Sequence, residues 1–190
     1  MKKIILLLLF ISSFAFSFSQ QKKETNTSIF KKFKTDVSFG YAIQQGAAQT
    51  SGVKGGALFV IEPKYAVIDA LAIGLRMEAA VTANINETGN SSSSARANLS
   101  YLLTGDYYFT DKKFRPFGGV GAGMFTTASV NDKTVINSMK DIPQITKFGF
   151  MARTGFEYGH LRMGIEYNFV PDKAGYLGIK LGVCIGGGRK

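Results

Sequence analysis

The chain has 190 residues, 45% of them hydrophobic, and its 23 lysines and arginines against 13 acids give a formal net charge of +10. Its single cysteine, Cys184, excludes an internal disulfide framework, and one cysteine with one histidine argue against a zinc or transition-metal site. After the N-terminal apolar stretch, no run approaches the roughly 18 apolar residues that a transmembrane helix needs. If the chain crosses a membrane, it does so as a β-barrel.

Residues 1–19 have the features of a secretory signal peptide. Met1-Lys2-Lys3 precedes an apolar run that ends at Phe16, and Ser17-Phe18-Ser19 supplies the small residues that signal peptidase recognises. We therefore predict export with cleavage after about Ser19, which leaves about 170 residues, enough for one domain. Loss of Lys2 and Lys3 lowers the charge by two, and export argues against a nucleic acid partner.

The mature chain begins with a polar, lysine-rich segment, residues 20–33, which we expect to be a flexible basic periplasmic tail. From Lys34 onward, apolar and polar residues alternate with a period of two, which predicts strands with one apolar and one polar face. The first five predicted strands span residues 34–44, 55–67, 71–82, 97–110 and 114–127. Pro63 removes a ladder donor from the second, which predicts a β-bulge there.

Three further alternating runs lie between Ile145 and Gly188 and are the clearest in the chain. A two-residue turn at Gly159-His160 joins the sixth and seventh strands, and a short loop at about 171–175 joins the seventh and eighth. Short turns that alternate with longer polar loops are typical of outer-membrane barrels. The predicted fold class is all-β, an eight-stranded antiparallel up-and-down transmembrane β-barrel over residues 34–190, with its long loops facing outward.

Alternation alone fits two architectures. In a soluble lipocalin-like barrel the apolar face points inward, and in a membrane barrel it points to lipid. Glycines crowd the polar face, and aromatic residues on the apolar face cluster near predicted strand ends, as interfacial girdles do. We therefore expect a cell outer membrane location, and a lipocalin-like periplasmic carrier remains the alternative.

The polar face of the predicted strands carries charge in balance. Its six acids and six bases are Asp36, Glu62, Glu78, Asp106, Glu157, Glu166, Lys64, Arg76, Lys147, Arg153, Arg162 and Lys180. The turn at 159–160 places Glu157 opposite Arg162 and Arg153 opposite Glu166, and pairing of the last two strands places Glu166 opposite Lys180. Because unpaired buried ions are costly, we predict an ion-pair network that plugs the lumen. Its best-supported chain is Arg153–Glu166–Lys180, and a narrow gated pore is the alternative.

No motif in the sequence indicates catalysis or a cofactor. His160 falls in a two-residue turn with no serine near it in the sequence, which argues against a hydrolase site. Gly119-x-Gly121-x-Gly123 lacks dinucleotide-site spacing and has a strand period. The loop over residues 128–144 contains Val135, Ile136, Met139 and Ile142 and is the candidate region for an extracellular ligand.

The chain resembles the small eight-stranded outer-membrane barrel family of the OmpA-barrel, OmpX and OmpW type. The residues that carry the resemblance are Met1–Ser19, the strand from Arg115 to Gly123, and the final strand from Tyr176 to Gly182. The resemblance implies a porin-like protein of the Gram-negative cell envelope that the barrel assembly machinery inserts among outer-membrane lipids. Family roles range from adhesion to small-molecule passage.

Two functions follow as hypotheses. The first is a monomeric structural or surface-interaction protein that acts through its long outer loops. The second is a narrow channel or transporter for small solutes, and an enzyme is a distant third.

Overall fold

The computed structural model describes residues 30–44, 54–84, 94–131, 144–171 and 174–188. The strands are β1 (Phe33–Gln44), β2 (Lys54–Ile68), β3 (Leu71–Asn84), β4 (Ser94–Tyr108), β5 (Phe114–Asn131), β6 (Gln144–Tyr158), β7 (Leu161–Phe169) and β8 (Tyr176–Gly186). The signal peptide, the tail up to residue 29 and the centres of the predicted loops lie outside the described residues. Within the described ranges, no helix is long and apolar enough to span a membrane.

The eight strands form a closed barrel in which each pairs antiparallel with its neighbours in sequence, and β8 closes onto β1. This confirms the predicted eight-stranded up-and-down fold. The predicted turn at 159–160 is also present, and Gly159 adopts φ 63°, a left-handed conformation that glycine tolerates without strain. On the loop side, β4 and β5 extend beyond the predicted bounds to Ser94 and Asn131.

Two local predictions differ from the structure. The bulge predicted at Pro63 is wrong, because Ile61 opposite Met77 and Lys64 opposite Gly74 keep one register across it; the irregularity between β2 and β3 lies at Ala66/Ile68. The flexible tail was predicted to reach Phe33, but the chain is already fixed to the barrel at Phe30. The Phe30 side chain is buried, and the Arg115 guanidinium lies 4.0 Å from its ring centroid.

The barrel wall has an apolar outer surface and a polar inner surface. Along β7, exposed and buried side chains alternate from Leu161 to Phe169. Large apolar side chains point outward and are exposed, among them Phe39 (67%), Val120 (66%) and Leu103 (63%). Most charged side chains of the strands point inward and are buried. This arrangement is the reverse of a soluble barrel, whose apolar residues fill the interior.

Candidate functional site: the charged lumen

The interior of the barrel holds the charged residues that the sequence places on one face. Every residue of the predicted network is buried there except Lys147, which is half-buried near the loop end of β6. Lys34, the first residue of the first predicted strand and not a member of the predicted network, also points into the lumen and is buried. The buried charged side chains form three layers, which follow one another from the turn end towards the loop end of the barrel.

The layer nearest the turn end is centred on Glu157. Lys34 Nζ lies 2.5 Å from Glu157 Oε1, and the Tyr108 hydroxyl donates to the same oxygen at 2.7 Å. Arg162 also donates to Glu157. Arg115 covers the Tyr108 ring at 4.1 Å and donates to the Asp69 carbonyl at 2.6 Å. Neither Tyr108 nor Arg115 was predicted as part of the site.

The middle layer is centred on Asp106. Its carboxylate lies 2.6 Å from Lys64 Nζ, 2.8 Å from Arg162 Nη2 and 2.7 Å from Arg153 Nε. Arg153 also donates two hydrogen bonds to Glu62, at 2.7 and 2.6 Å, in the bidentate geometry that makes arginine–carboxylate pairs strong. This contact joins β2 to β6 across the lumen.

The third layer is centred on Glu166. Lys180 Nζ lies 2.5 Å from Glu166 Oε2, and Arg76 Nη1 donates to the same oxygen at 2.6 Å. Arg76 also pairs with Glu78, which accepts a hydrogen bond from the Tyr176 hydroxyl. Within the described interior, each of the buried acids therefore has at least one cation in contact, as buried charges require.

The predicted chain Arg153–Glu166–Lys180 is only partly present. Arg153 does stand opposite Glu166 in the β6–β7 register, as predicted, but it forms its ion pairs with Glu62 and Asp106. The prediction that Glu166 stands opposite Lys180 is wrong, because Glu166 faces Gly178 and Lys180 faces Gly164. A two-residue shift leaves every side chain on the same face, so Glu166 and Lys180 still meet diagonally.

An apolar layer that was not predicted from the sequence lies next to the charged layers, on the loop side. It consists of Ala42, Leu58, Val60, Ala80, Leu102, Phe125 and Tyr176, all buried, with Val170 packed against it. On each strand, these apolar residues are separated from the buried charged residues by an even number of positions, so both point inward. That spacing is the signal in the sequence that could have revealed the apolar layer. The interior thus has a charged part and an apolar part in series along the barrel axis.

Cys184 and His160, the single cysteine and the single histidine of the sequence, both lie near the turn end of the barrel. Asp36, Glu157 and Cys184 have potential ligand atoms within 4.8 Å of one another. A metal ion there would have to displace Lys64 from Asp36 and Lys34 from Glu157, both at 2.5 Å. His160 is exposed, and its Nδ1 lies 2.9 Å from the Cys184 carbonyl.

No protein-family model and no curated protein matches this chain. Solved structures match it over most of its length. Neisserial surface protein A is 18% identical, with a TM-score of 0.53 over 83% of this chain and 98% of that one. Ail of Yersinia pestis in complex with the heparin analogue sucrose octasulfate is 11% identical, with a TM-score of 0.49 over 84% and 100%.

A third solved structure is the outer membrane enzyme PagL, 13% identical, with a TM-score of 0.37 over 80% of this chain and 98% of that one. At these identities the likeness concerns the fold alone. Three features of this structure agree with that likeness: the strands close into a barrel, neighbouring strands are antiparallel, and the apolar face points outward. The chain has the fold of the small eight-stranded outer-membrane β-barrels.

Proposed function

We propose that this protein is an outer-membrane barrel with a closed lumen and a structural or surface-interaction role at its loop end. The observation that carries the proposal is the inverted distribution of side chains, with large apolar residues exposed outside and charges buried and paired inside. A soluble monomer rarely exposes contiguous apolar patches of more than a few hundred Å². Lipid hydrocarbon is the environment in which this outer surface is stable.

Aromatic and basic residues at the turn end support the membrane location. Tyr65 and Tyr158 are exposed near the turn ends of β2 and β6, as in an interfacial aromatic girdle. Lys32 lies over the Tyr65 ring at 5.9 Å and Lys113 over the Tyr158 ring at 5.0 Å. Both ammonium groups are then at headgroup level, which suits a periplasmic leaflet that contains anionic lipid.

The filled lumen supports a surface role over transport. Three ion-paired layers and an apolar layer fill the described interior, so a solute would have to separate buried ion pairs to pass. The contact surface would then be the loop end, and residues 128–144 are the segment that we propose for an extracellular ligand. Deletion of residues 132–143 tests this, because it should abolish binding of the protein to cell surfaces without changing the barrel.

We further propose that the chain is monomeric, depends on the barrel assembly machinery and is not an enzyme. The fold is compatible with catalysis, since PagL is an outer membrane enzyme. His160 is the residue to test, because a histidine is the commonest general base. The purified protein should not hydrolyse lipid, and any hydrolysis that is lost in His160→Ala would contradict this part of the proposal.

Gel mobility of the membrane-fractionated protein, with and without boiling in SDS, tests the location and the fold together. A closed barrel has no free edge strand, so it should stay folded without boiling and shift on heating. We expect a shift, with the protein in the outer-membrane fraction. Soluble periplasmic protein without a shift would favour the lipocalin-like carrier instead.

A further inference from the structure

A groove of about 410 Å³ opens on the outer face of the barrel where β7 ends. The last pair between β6 and β7 is Phe150 opposite Phe169, and none of the described residues pairs with the rest of β6, up to Gln144, on that side. Because β7 ends at Phe169, the described part of the barrel wall has a notch there. This volume lies within the range of sites that bind one small molecule.

Gly149 forms the floor of the notch, and the apolar layer of the lumen lies directly behind it. A Cβ at Gly149 would lie 2.7 Å from the Phe169 carbonyl oxygen and 2.9 Å from the Phe125 ring, so the packing leaves no room for a side chain. Val170, which follows β7, packs against the same apolar layer. The groove therefore has an apolar floor that is continuous with the interior.

Two aromatic pairs form the walls. On β6, the rings of Phe148 and Phe150 are 5.3 Å apart at 89°, and on β7 the rings of Tyr167 and Phe169 are 4.5 Å apart at 62°. Both are edge-to-face contacts, the arrangement that aromatic pairs prefer. Each pair fixes its rings, so the groove is formed before anything binds.

None of the described residues that line the groove is charged, and the Tyr167 hydroxyl is the single polar side-chain group among them. The groove is continuous with the apolar outer surface, which faces lipid hydrocarbon if the proposed function is right. We propose that it binds one hydrocarbon chain of a membrane lipid. Tyr167 would place its hydroxyl towards the headgroup, because tyrosine presents an apolar body with a polar tip.

The test uses the full chain reconstituted in vesicles of zwitterionic phospholipid that contain a long-chain fatty acid with a diazirine on its tail. After photolysis, mass spectrometry measures labelling of the β6–β7 groove against the mole fraction of the probe. The matched control is the Phe39–Phe59 pair, whose outward rings are 4.7 Å apart on strands that stay paired beyond it.

We expect groove labelling to saturate at one probe per protein, while labelling at Phe39 and Phe59 rises in proportion to the probe. Phe150→Ala with Phe169→Ala should raise the half-saturating probe fraction about tenfold, which corresponds to about 1.4 kcal/mol. Phe39→Ala with Phe59→Ala should leave it unchanged. The heat-dependent gel shift verifies that both double variants are folded.

Labelling that rises in proportion at both places would overturn the groove and leave the membrane location standing. Absence of labelling at both places would overturn the membrane location and the groove with it. An unchanged half-saturating fraction in the folded groove variant would also overturn the groove.

Discussion

Arg153 Nε lies 2.7 Å from Asp106 Oδ1, although β6 and β4, which carry these residues, do not pair with each other. Gly119 on β5 stands between them as the cross-strand partner of both. A Cβ at Gly119 would overlap the Asp106 carboxylate and lie 3.1 Å from Arg153 Nε. Because Gly119 has no side chain, the ion pair between Asp106 and Arg153 can form across β5. This is a physical reason for a glycine on the polar face of that strand.

Gly119→Ala should destabilise the barrel by separating this pair. Overpacking costs typically about 1–3 kcal/mol, and loss of the ion pair adds to it. Urea unfolding of the protein in detergent micelles measures the change. Gly105→Ala is the control, because a Cβ at Gly105 meets nothing within 4 Å, and it should change the free energy of unfolding by less than about 0.5 kcal/mol. Equal effects of the two substitutions would refute this role of Gly119.

Lys64→Met should be among the most destabilising single substitutions. Lys64 Nζ lies 2.5 Å from Asp36, 2.6 Å from Asp106 and 3.6 Å from Glu62. Asp36 and Glu62 face each other directly across β1 and β2, so this lysine separates two like charges that would otherwise repel. Breaking a buried pair costs about 3–5 kcal/mol.

The temperature at which the unboiled gel band converts to the unfolded band measures this loss. Lys112→Met serves as the control, since Lys112 is exposed at the β4–β5 turn. A conversion temperature for Lys64→Met that matches that of Lys112→Met would show that the network contributes little to stability.

Phe125→Ala should cost about 3–5 kcal/mol of unfolding free energy, because the ring is 1% exposed inside the apolar layer and its loss leaves a cavity. Leu103→Ala changes a lipid-facing side chain that is 63% exposed. It should cost much less in micelles, where the shortened side chain stays covered by detergent. Comparable losses in the two variants would mean that the apolar layer is not a packed part of the interior.

The charged and apolar layers should act as two barriers in series. A Cβ at Gly178 would contact both Glu166 (3.0 Å) and Leu58 (3.1 Å), so the two layers are in direct proximity. We expect Glu166→Ala alone to destabilise the barrel without opening an ion path. The combination of Glu166→Ala with Leu58→Ala and Leu102→Ala should produce measurable conductance, since apolar constrictions exclude ions by dewetting. Conductance in Glu166→Ala equal to that of the triple variant would show that the apolar layer is no barrier.

The sequence predicts the fold well because a period of two needs only local information. It also predicts the Glu157–Arg162 pairing, since the two-residue turn at Gly159 fixes the register beside it. The β7–β8 register is off by two, because the loop between those strands does not determine where pairing begins. A shift of two positions keeps every side chain on the same face of the sheet, so the predicted face of each charged residue is nevertheless right.

The partners inside the lumen could not be predicted in the same way. Arg153 reaches Glu62 across the barrel, which depends on strand tilt and on side-chain conformations that no alternation encodes. Lys34 was missed because it follows a run of tail lysines and begins the first strand. Leu58, Leu102 and Phe125 could not be recognised from the outward apolar face, because they lie at inward-facing positions of their strands, which the polar residues define.

The most direct test of the closed lumen is the conductance of the wild-type protein in planar lipid bilayers. The paired charges and the apolar layer predict insertion without stable conductance steps under an applied voltage. Heat-dependent gel mobility of the same preparation shows that the inserted protein is folded. Reproducible steps from folded wild-type protein would contradict the closed lumen and make the narrow channel the better account.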